Sequence, residues 1–163
     1  MNARDDILTL VARLEKTEAV LQRLLQHYDE FLATDLLLLG RKNTSAIVIA
    51  ELLVDYYTCL ETLFLRISQF FENNLAKERW HADLLEKMTL EIADVRVAVV
   101  SDETHAILAE LMRFRHFRRY YFELEYDWQK LDYLQEKFAA LRQRLPAELA
   151  RFKAFLDDCL ANG

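Results

Sequence analysis

Between Arg113 and Arg119 the chain gathers four arginines (Arg113, Arg115, Arg118 and Arg119) and one histidine, His116, with no acidic residue among them. A guanidinium is a planar fork of donors that fits carboxylates and phosphates. Tyr120, Tyr121, Phe122 and Tyr126 follow closely. Aromatic faces beside cations suit base stacking, and they are equally what the packed end of a helical bundle looks like. The heptapeptide carries four positive charges in a chain of net charge −6, which leaves −10 on the remainder. On a helical seam through Thr104, Leu108, Leu111, Arg115, Arg118 and Phe122, two arginines stand where apolar side chains are expected, and Arg119 lies one turn above Arg115. Two readings of these cations are open. They are struts paired with Glu18, Asp35, Glu51 or Asp55 on neighbouring helices, or they line a cleft that holds RNA phosphate.

The elements that must position these residues read as helices. From about Asp5 to Leu39, the residues Ile7, Val11, Leu14, Leu21, Leu25, Tyr28, Leu32 and Leu39 recur in steps of three and four, with Glu18 and Asp35 on the same seam. Gly40 is the expected stop in a left-handed C-cap, and Asn43, Thr44 and Ser45 are candidate N-caps for the next helix. Ala46, Ala50, Leu53, Tyr57, Leu60, Phe64, Ile67 and Phe71 form an unbroken stripe. A second stripe through Leu52, Tyr56, Leu63 and Phe70 marks this helix as central or as facing a partner subunit. A shorter helix is expected over Lys77 to Leu90, with Trp80, Leu84, Leu85 and Met88 inward. The β-branched stretch Ile92 to Val100 reads as a loop or helix extension, since one short strand makes no sheet. Ser101, followed by Asp102 and Glu103, opens a helix to Tyr121. Asp127 caps a last helix carrying Leu131, Leu134, Phe138, Leu141 and Leu145, in which Pro146 predicts a kink or short break.

The fold class that follows is all-α, an up-and-down bundle of four to five helices forming one domain over residues 1–163. With 2 Gly and 1 Pro in 163 residues, turn-rich β folds and Gly-rich phosphate loops are excluded. A hydrophobic share of 53% supports a packed core, and the acidic balance argues against generic coating of nucleic acid. Cys59 and Cys159 have no paired spacing, so neither a disulfide framework nor a zinc motif is expected and a reducing cytoplasm is the default. The N-terminal residues lack a signal-peptide pattern, and the apolar stretch from Thr44 to Tyr57 is too short to span a bilayer and contains Glu51 and Asp55. Glu78-Arg-Trp-His81 has the Glu-x-x-His spacing of di-iron bundles but occurs once, so no metal or other cofactor is expected and a solvated face is preferred. His27 and His105 read as surface residues.

The run Arg113-Phe-Arg-His-Phe-Arg-Arg-Tyr-Tyr-Phe-Glu-Leu-Glu-Tyr-Asp127-Trp128-Gln-Lys-Leu131 resembles the HepT-like branch of the HEPN superfamily. Asp55-Tyr56-Tyr57-Thr-Cys-Leu60-Glu61, Trp80-His81-Ala-Asp-Leu84-Leu85, Ser101-Asp-Glu-Thr104 with Leu108 to Leu111, and Phe152-Lys-Ala-Phe155-Leu156 add to it, so the similarity covers about Ala46 to Leu160. The resemblance implies a HEPN-like bundle that pairs as a two-fold homodimer with its cleft at the subunit interface. It implies the toxin half of a HEPN/MNT toxin–antitoxin pair: a metal-independent ribonuclease acting on RNA, possible substrates including tRNA. The partner it implies is an MNT-type nucleotidyltransferase antitoxin, which silences the toxin by transferring AMP to a tyrosine beside the catalytic motif.

That motif is an arginine, four to six residues, a histidine, one residue and a tyrosine. Arg115 matches the arginine, and Arg119 matches a frequent basic neighbour. Tyr120 stands at the histidine position and Phe122 at the tyrosine position. By this resemblance Arg115 neutralises the scissile phosphate, Arg113, Arg118 and Arg119 position the backbone, and Tyr120 takes the acid/base position with His116 in reserve. Tyr120 or Tyr121 is the candidate AMP acceptor. A phenol of pKa near 10 is ionised to about one part in a thousand at pH 7, a handicap of roughly 4 kcal/mol as a base. The alternative reading is a non-catalytic helical dimer that docks a nucleotidyltransferase or binds a phosphate-bearing ligand.

Overall fold

In a computed structural model the chain is described over residues 2–72, 78–121 and 125–162, with only the backbone described at 120 and 121. Among these residues five helices form an all-α up-and-down bundle: α1 (Ala3–Glu30), α2 (Asn43–Phe71), α3 (Trp80–Lys87), α4 (Asp102–Tyr121) and α5 (Trp128–Asn162). No strand occurs among the described residues; an isolated antiparallel bridge joins Ile92 and Arg96.

Helix α1 starts where Asn2 Oδ1 accepts the Asp5 N–H at 2.9 Å, with Asp5 and Asp6 in the first turn. Leu10, Leu14, Leu21, Leu25 and Tyr28 are buried along it. The helix then passes through a π-helical turn (Phe31–Asp35) into a last α-turn (Leu36–Leu39). Each π-turn holds one residue more than an α-turn, so the inward face is displaced. Phe31 is buried instead of the expected Leu32, which is half-buried, and Asp35 and Leu39 are exposed. Gly40 ends the segment with its N–H on Leu36 O at 2.8 Å. Its φ of 74° is positive as expected, but ψ of −176° makes it extended rather than left-handed helical.

Helix α2 is central and packs against each of the other four. Its expected stripe is buried from Ala46 to Ile67, and Tyr56 and Leu63 of the second stripe are buried too. None of Asn43, Thr44 and Ser45 is the N-cap; that place falls to Lys42. Ser45 Oγ instead donates to Gly40 O at 2.7 Å, and Asn43 Oδ1 accepts the Tyr126 N–H at 3.0 Å, tying both ends of the bundle's connections to α2.

Helix α3 is shorter than expected. A loop held by Arg96 follows it, with Val99 and Val100 donating to Met88 O. The Arg96 side chain is fully buried, bonding Glu72 and the carbonyls of Lys87, Leu90 and Val97. The start of α4 is capped twice. Ser101 Oγ accepts the Thr104 N–H at 3.2 Å, and buried Glu148 of α5 accepts from the Ser101 N–H and the Thr104 hydroxyl. Asp127 Oδ1 caps α5 through the Gln129 N–H at 2.9 Å. The break predicted at Pro146 does not occur: α5 runs through it. Pro146 is exposed while Leu145 and Leu149 are buried on either side, so one core holds both halves of the helix. No helix among the described residues is long and apolar enough to cross a membrane.

Candidate active site

Helix α4, fixed at its start by Ser101 and Glu148, delivers Arg115 against α2 and α3. Its guanidinium grips Glu61 of α2 with both terminal nitrogens, Nη1 to Oε1 at 2.9 Å and Nη2 to Oε2 at 3.3 Å. Nη1 also lies 3.4 Å from Thr58 Oγ1, and the guanidinium carbon sits 5.0 Å from the centre of the Tyr57 ring, a cation–π arrangement. Glu61 Oε2 accepts the Tyr57 hydroxyl at 2.8 Å and lies 2.9 Å from His81 Nδ1. The side chains of Glu61 and Arg115 are 8% and 16% exposed, which makes this a buried ion pair. Burial raises the Tyr57 phenol far above its ordinary range, and the Glu61 charge adds to that, so Tyr57 is a fixed proton donor to the carboxylate. Arg115 is therefore paired, as the strut reading expects, but with a carboxylate outside the four named from the sequence.

The other cations separate. Arg118 pairs with Glu51 of α2, one of the expected partners, and its buried Nη1 has no hydrogen-bond partner. Beside it the Asp55 carboxyl is pushed up by burial and then by the Glu51 charge. Arg113 reaches Glu110 on its own helix at 3.2 Å and is largely exposed. A cleft of about 500 Å³ opens between α3 and α4, lined by Glu78, Arg79, His81, Arg113, Arg115, His116 and Arg119 with Trp80 and Phe117 in its walls. That size suits a small ligand or a nucleotide unit. The structure brings Arg113, Arg115, His116 and Arg119 to this one cleft and places Arg118 outside its lining. The side chains of Tyr120 and Tyr121, and all of Phe122, lie outside the described residues.

Two members of the site, Glu61 and His81, escaped sequence reasoning. Glu61 had a signal: a carboxylate one residue past the apolar stripe of α2, four residues after Tyr57, where a helix places side chains on one face. His81 had none, because 20 residues separate it from Glu61 and 34 from Arg115. Instead of the expected solvated face, its Nδ1 is held at Glu61 and its ring lies against Trp80 with centroids 3.6 Å apart. Among the described residues no three His, Cys, Asp or Glu side chains are grouped to hold a metal ion.

An all-α bundle of this kind is consistent with the fold of the HEPN superfamily. A model of that class, described as HepT-like protein, matches residues 48–156. The chain belongs to the HepT-like family. No curated protein and no solved structure matches it.

Proposed function

We propose that this protein is the toxin component of a HEPN/MNT toxin–antitoxin pair and a metal-independent ribonuclease. Family membership supports the toxin-like role. The observation that carries the ribonuclease reading is the cleft: four arginines and two histidines converge there in a chain of net charge −6. Cleavage of RNA without a metal needs cations at the phosphate, a group that takes the 2′-hydroxyl proton and one that protonates the leaving 5′-oxygen. In this reading Arg113 and Arg119 hold the backbone, Arg115 meets the scissile phosphate, and His116 protonates the leaving oxygen. Tyr120, at the motif's histidine position, donates a hydrogen bond to the phosphorane. The protein works as a cytoplasmic homodimer with RNA as substrate. An MNT-type nucleotidyltransferase silences it by placing AMP on Tyr120 or Tyr121, where the added phosphate opposes the bound backbone.

The test is incubation of the purified protein with total tRNA, with and without EDTA, beside Arg119→Ala and His116→Ala. EDTA-resistant cleavage that both variants lose is expected. For bound single-stranded RNA, Arg119→Ala should also lower the slope of log K against log salt by about 0.7. One observation favours a second reading, a non-catalytic helical dimer that docks the nucleotidyltransferase: Glu61 already neutralises Arg115. Intact RNA over a wide range of protein concentration, with retained binding of the nucleotidyltransferase, decides for that reading.

A further inference from the structure

We propose that His81, oriented by Glu61, is the general base of the cleft and takes the 2′-hydroxyl proton of a bound RNA phosphodiester; this rests on the ribonuclease reading above. The assignment comes from counting donors and acceptors. Around Glu61 lie the Tyr57 hydroxyl, the two terminal nitrogens of Arg115 and His81 Nδ1. An ionised carboxylate offers about four lone-pair sites and no proton. If Nδ1 carries a proton, it donates to Oε2 beside the Tyr57 hydroxyl and Arg115 Nη2, while Oε1 takes Arg115 Nη1, and every neighbour of the anion is a donor. If Nδ1 is bare, its lone pair faces an anionic oxygen at 2.9 Å. Arg115 Nη2, a donor only, lies 3.1 Å from Nδ1 and would favour a bare Nδ1; the shorter 2.9 Å contact with the ionised Glu61 oxygen outweighs it, and Nη2 keeps Glu61 Oε2 as its own acceptor at 3.3 Å. The neutral ring therefore keeps its proton on Nδ1 and its lone pair on Nε2.

An acceptor nitrogen held by a carboxylate behind it is the arrangement by which a histidine serves as a base. His81 lines the cleft with its side chain 35% exposed, whereas Glu61 lies behind it at 8%. Trp80 lies against the ring and limits its rotation. The charged and polar groups around it are Glu61 and Tyr57 from α2, Arg115 from α4, His116 and Arg119 on the cleft's α4 wall, and Glu78 and Arg79 just before it in the chain. His81 supplies from a different helix the imidazole that the Arg115 motif has lost to Tyr120.

The step balances without a co-reactant. Nε2 takes the proton of the 2′-hydroxyl, and the 2′-oxygen forms a bond to phosphorus. The bond from phosphorus to the 5′-oxygen breaks, and that oxygen leaves with a proton from His116. The products are a 2′,3′-cyclic phosphate and a 5′-hydroxyl end. Deprotonated His116 and protonated His81 then exchange the proton through water. His81 is the catalytic residue, and Glu61 is a positioning residue.

The experiment has two readouts. Nitrogen-15 NMR of the full-length protein at pH 8 should show neutral His81 protonated on Nδ1, and Glu61→Gln should move it toward the Nε2–H form common in free imidazole. Neutral wild-type His81 protonated on Nε2 overturns the proposal whatever the activity. In RNA cleavage, His81→Ala should lower kcat by about 100-fold or more with RNA binding nearly unchanged, and added imidazole should restore a substantial part of it. Glu61→Gln should lower kcat with KM little altered. If His81→Ala cleaves like the wild type while Arg119→Ala is inactive, the ribonuclease reading stands and His81 is not its base. If the wild type leaves RNA intact, both fall. A loss in His81→Ala that imidazole does not restore and that follows a lower melting temperature overturns the assignment in favour of a structural role.

Discussion

Removing Glu61 should do more damage than removing both Glu61 and Arg115. The two side chains are 8% and 16% exposed, so both charges are largely removed from water. In Glu61→Leu the Arg115 guanidinium, the Tyr57 hydroxyl and His81 Nδ1–H all lose their shared acceptor. Breaking a buried pair from one side costs about 3–5 kcal/mol, whereas replacing both partners by apolar groups of similar volume is often close to neutral. In a chain of 163 residues each kcal/mol shifts Tm by roughly 2–4 °C, so Glu61→Leu should melt roughly 6–20 °C lower. Arg115→Met keeps most of the stem and leaves Glu61 with two donors, so it should fall at the low end of that range. Glu61→Leu with Arg115→Met should be more stable than Glu61→Leu alone, with a coupling of about 2–3 kcal/mol.

The assay is a double-mutant cycle in urea, read by far-ultraviolet circular dichroism, at low salt and at 1 M NaCl. A buried pair keeps its coupling in salt, while an exposed one is screened. Additive single losses, or a cost below about 1 kcal/mol for Glu61→Leu, would refute the reasoning, because the pair would then be behaving as a surface bridge. The same arithmetic limits what Arg115 variants can say about function. Lost cleavage in Arg115→Ala mixes a missing phosphate contact with a weakened bundle, which is why Arg119, exposed in the same cleft, is the better probe.

Arg142 holds Asp29 through two hydrogen bonds of 2.6 and 2.8 Å, and these bonds lower the Asp29 carboxyl below its ordinary value. Its contribution is present above the unfolded carboxylate range near pH 4 and is lost as pH falls through the lowered folded value. Wild type and Asp29→Asn should therefore differ at neutral pH, by under about 1 kcal/mol for so exposed a pair, and converge in acid unfolding once the pH is below that lowered value. Gly40→Ala should cost about 1–3 kcal/mol in urea unfolding, since φ 74° with ψ −176° is a region kept almost wholly for glycine; a Cβ there meets nothing within 4 Å, so the cost is in the backbone alone. Arg96→Met strands Glu72 and three carbonyls around a side chain with no exposure, so it should destabilise by about 3–5 kcal/mol and speed amide exchange at Val99 and Val100.

What the sequence made legible follows from the range of the forces involved. The face of α2 is set by a 3.6-residue period, and every stripe position from Ala46 to Ile67 is buried. The start of α4 is set by a serine and two acids, local chemistry that survives into the fold. The π-turn at Phe31 and the unbroken helix through Pro146 were not legible, because packing around them outweighs a local preference that points elsewhere. At the site, four of the seven ionisable residues that line the cleft come from one short run, and that run is visible in the sequence. Arg118 also met an expected partner in Glu51. The carboxylate beneath Arg115 was not visible as its partner, because 54 residues separate them and no spacing rule crosses that distance.

The two readings of Arg115, strut and phosphate ligand, exclude each other only if a guanidinium serves one partner at a time. It has five N–H groups. Glu61 takes one from each terminal nitrogen, and Thr58 lies near a third. Nη2 also lies 3.1 Å from His81 Nδ1, and Arg115 is among the residues that line the cleft. Burial of Glu61 thus has two effects of opposite sign. Its charge reduces what Arg115 offers a phosphate, and its hydrogen bonds spare the arginine the entropy of being ordered when a phosphate arrives. On the proposed ribonuclease reading, the charge that draws RNA comes from the rim, from Arg79, Arg113 and Arg119, while the buried network supplies position. In such a division of labour, losing a rim arginine weakens binding and its salt dependence, and losing a buried partner damages geometry first.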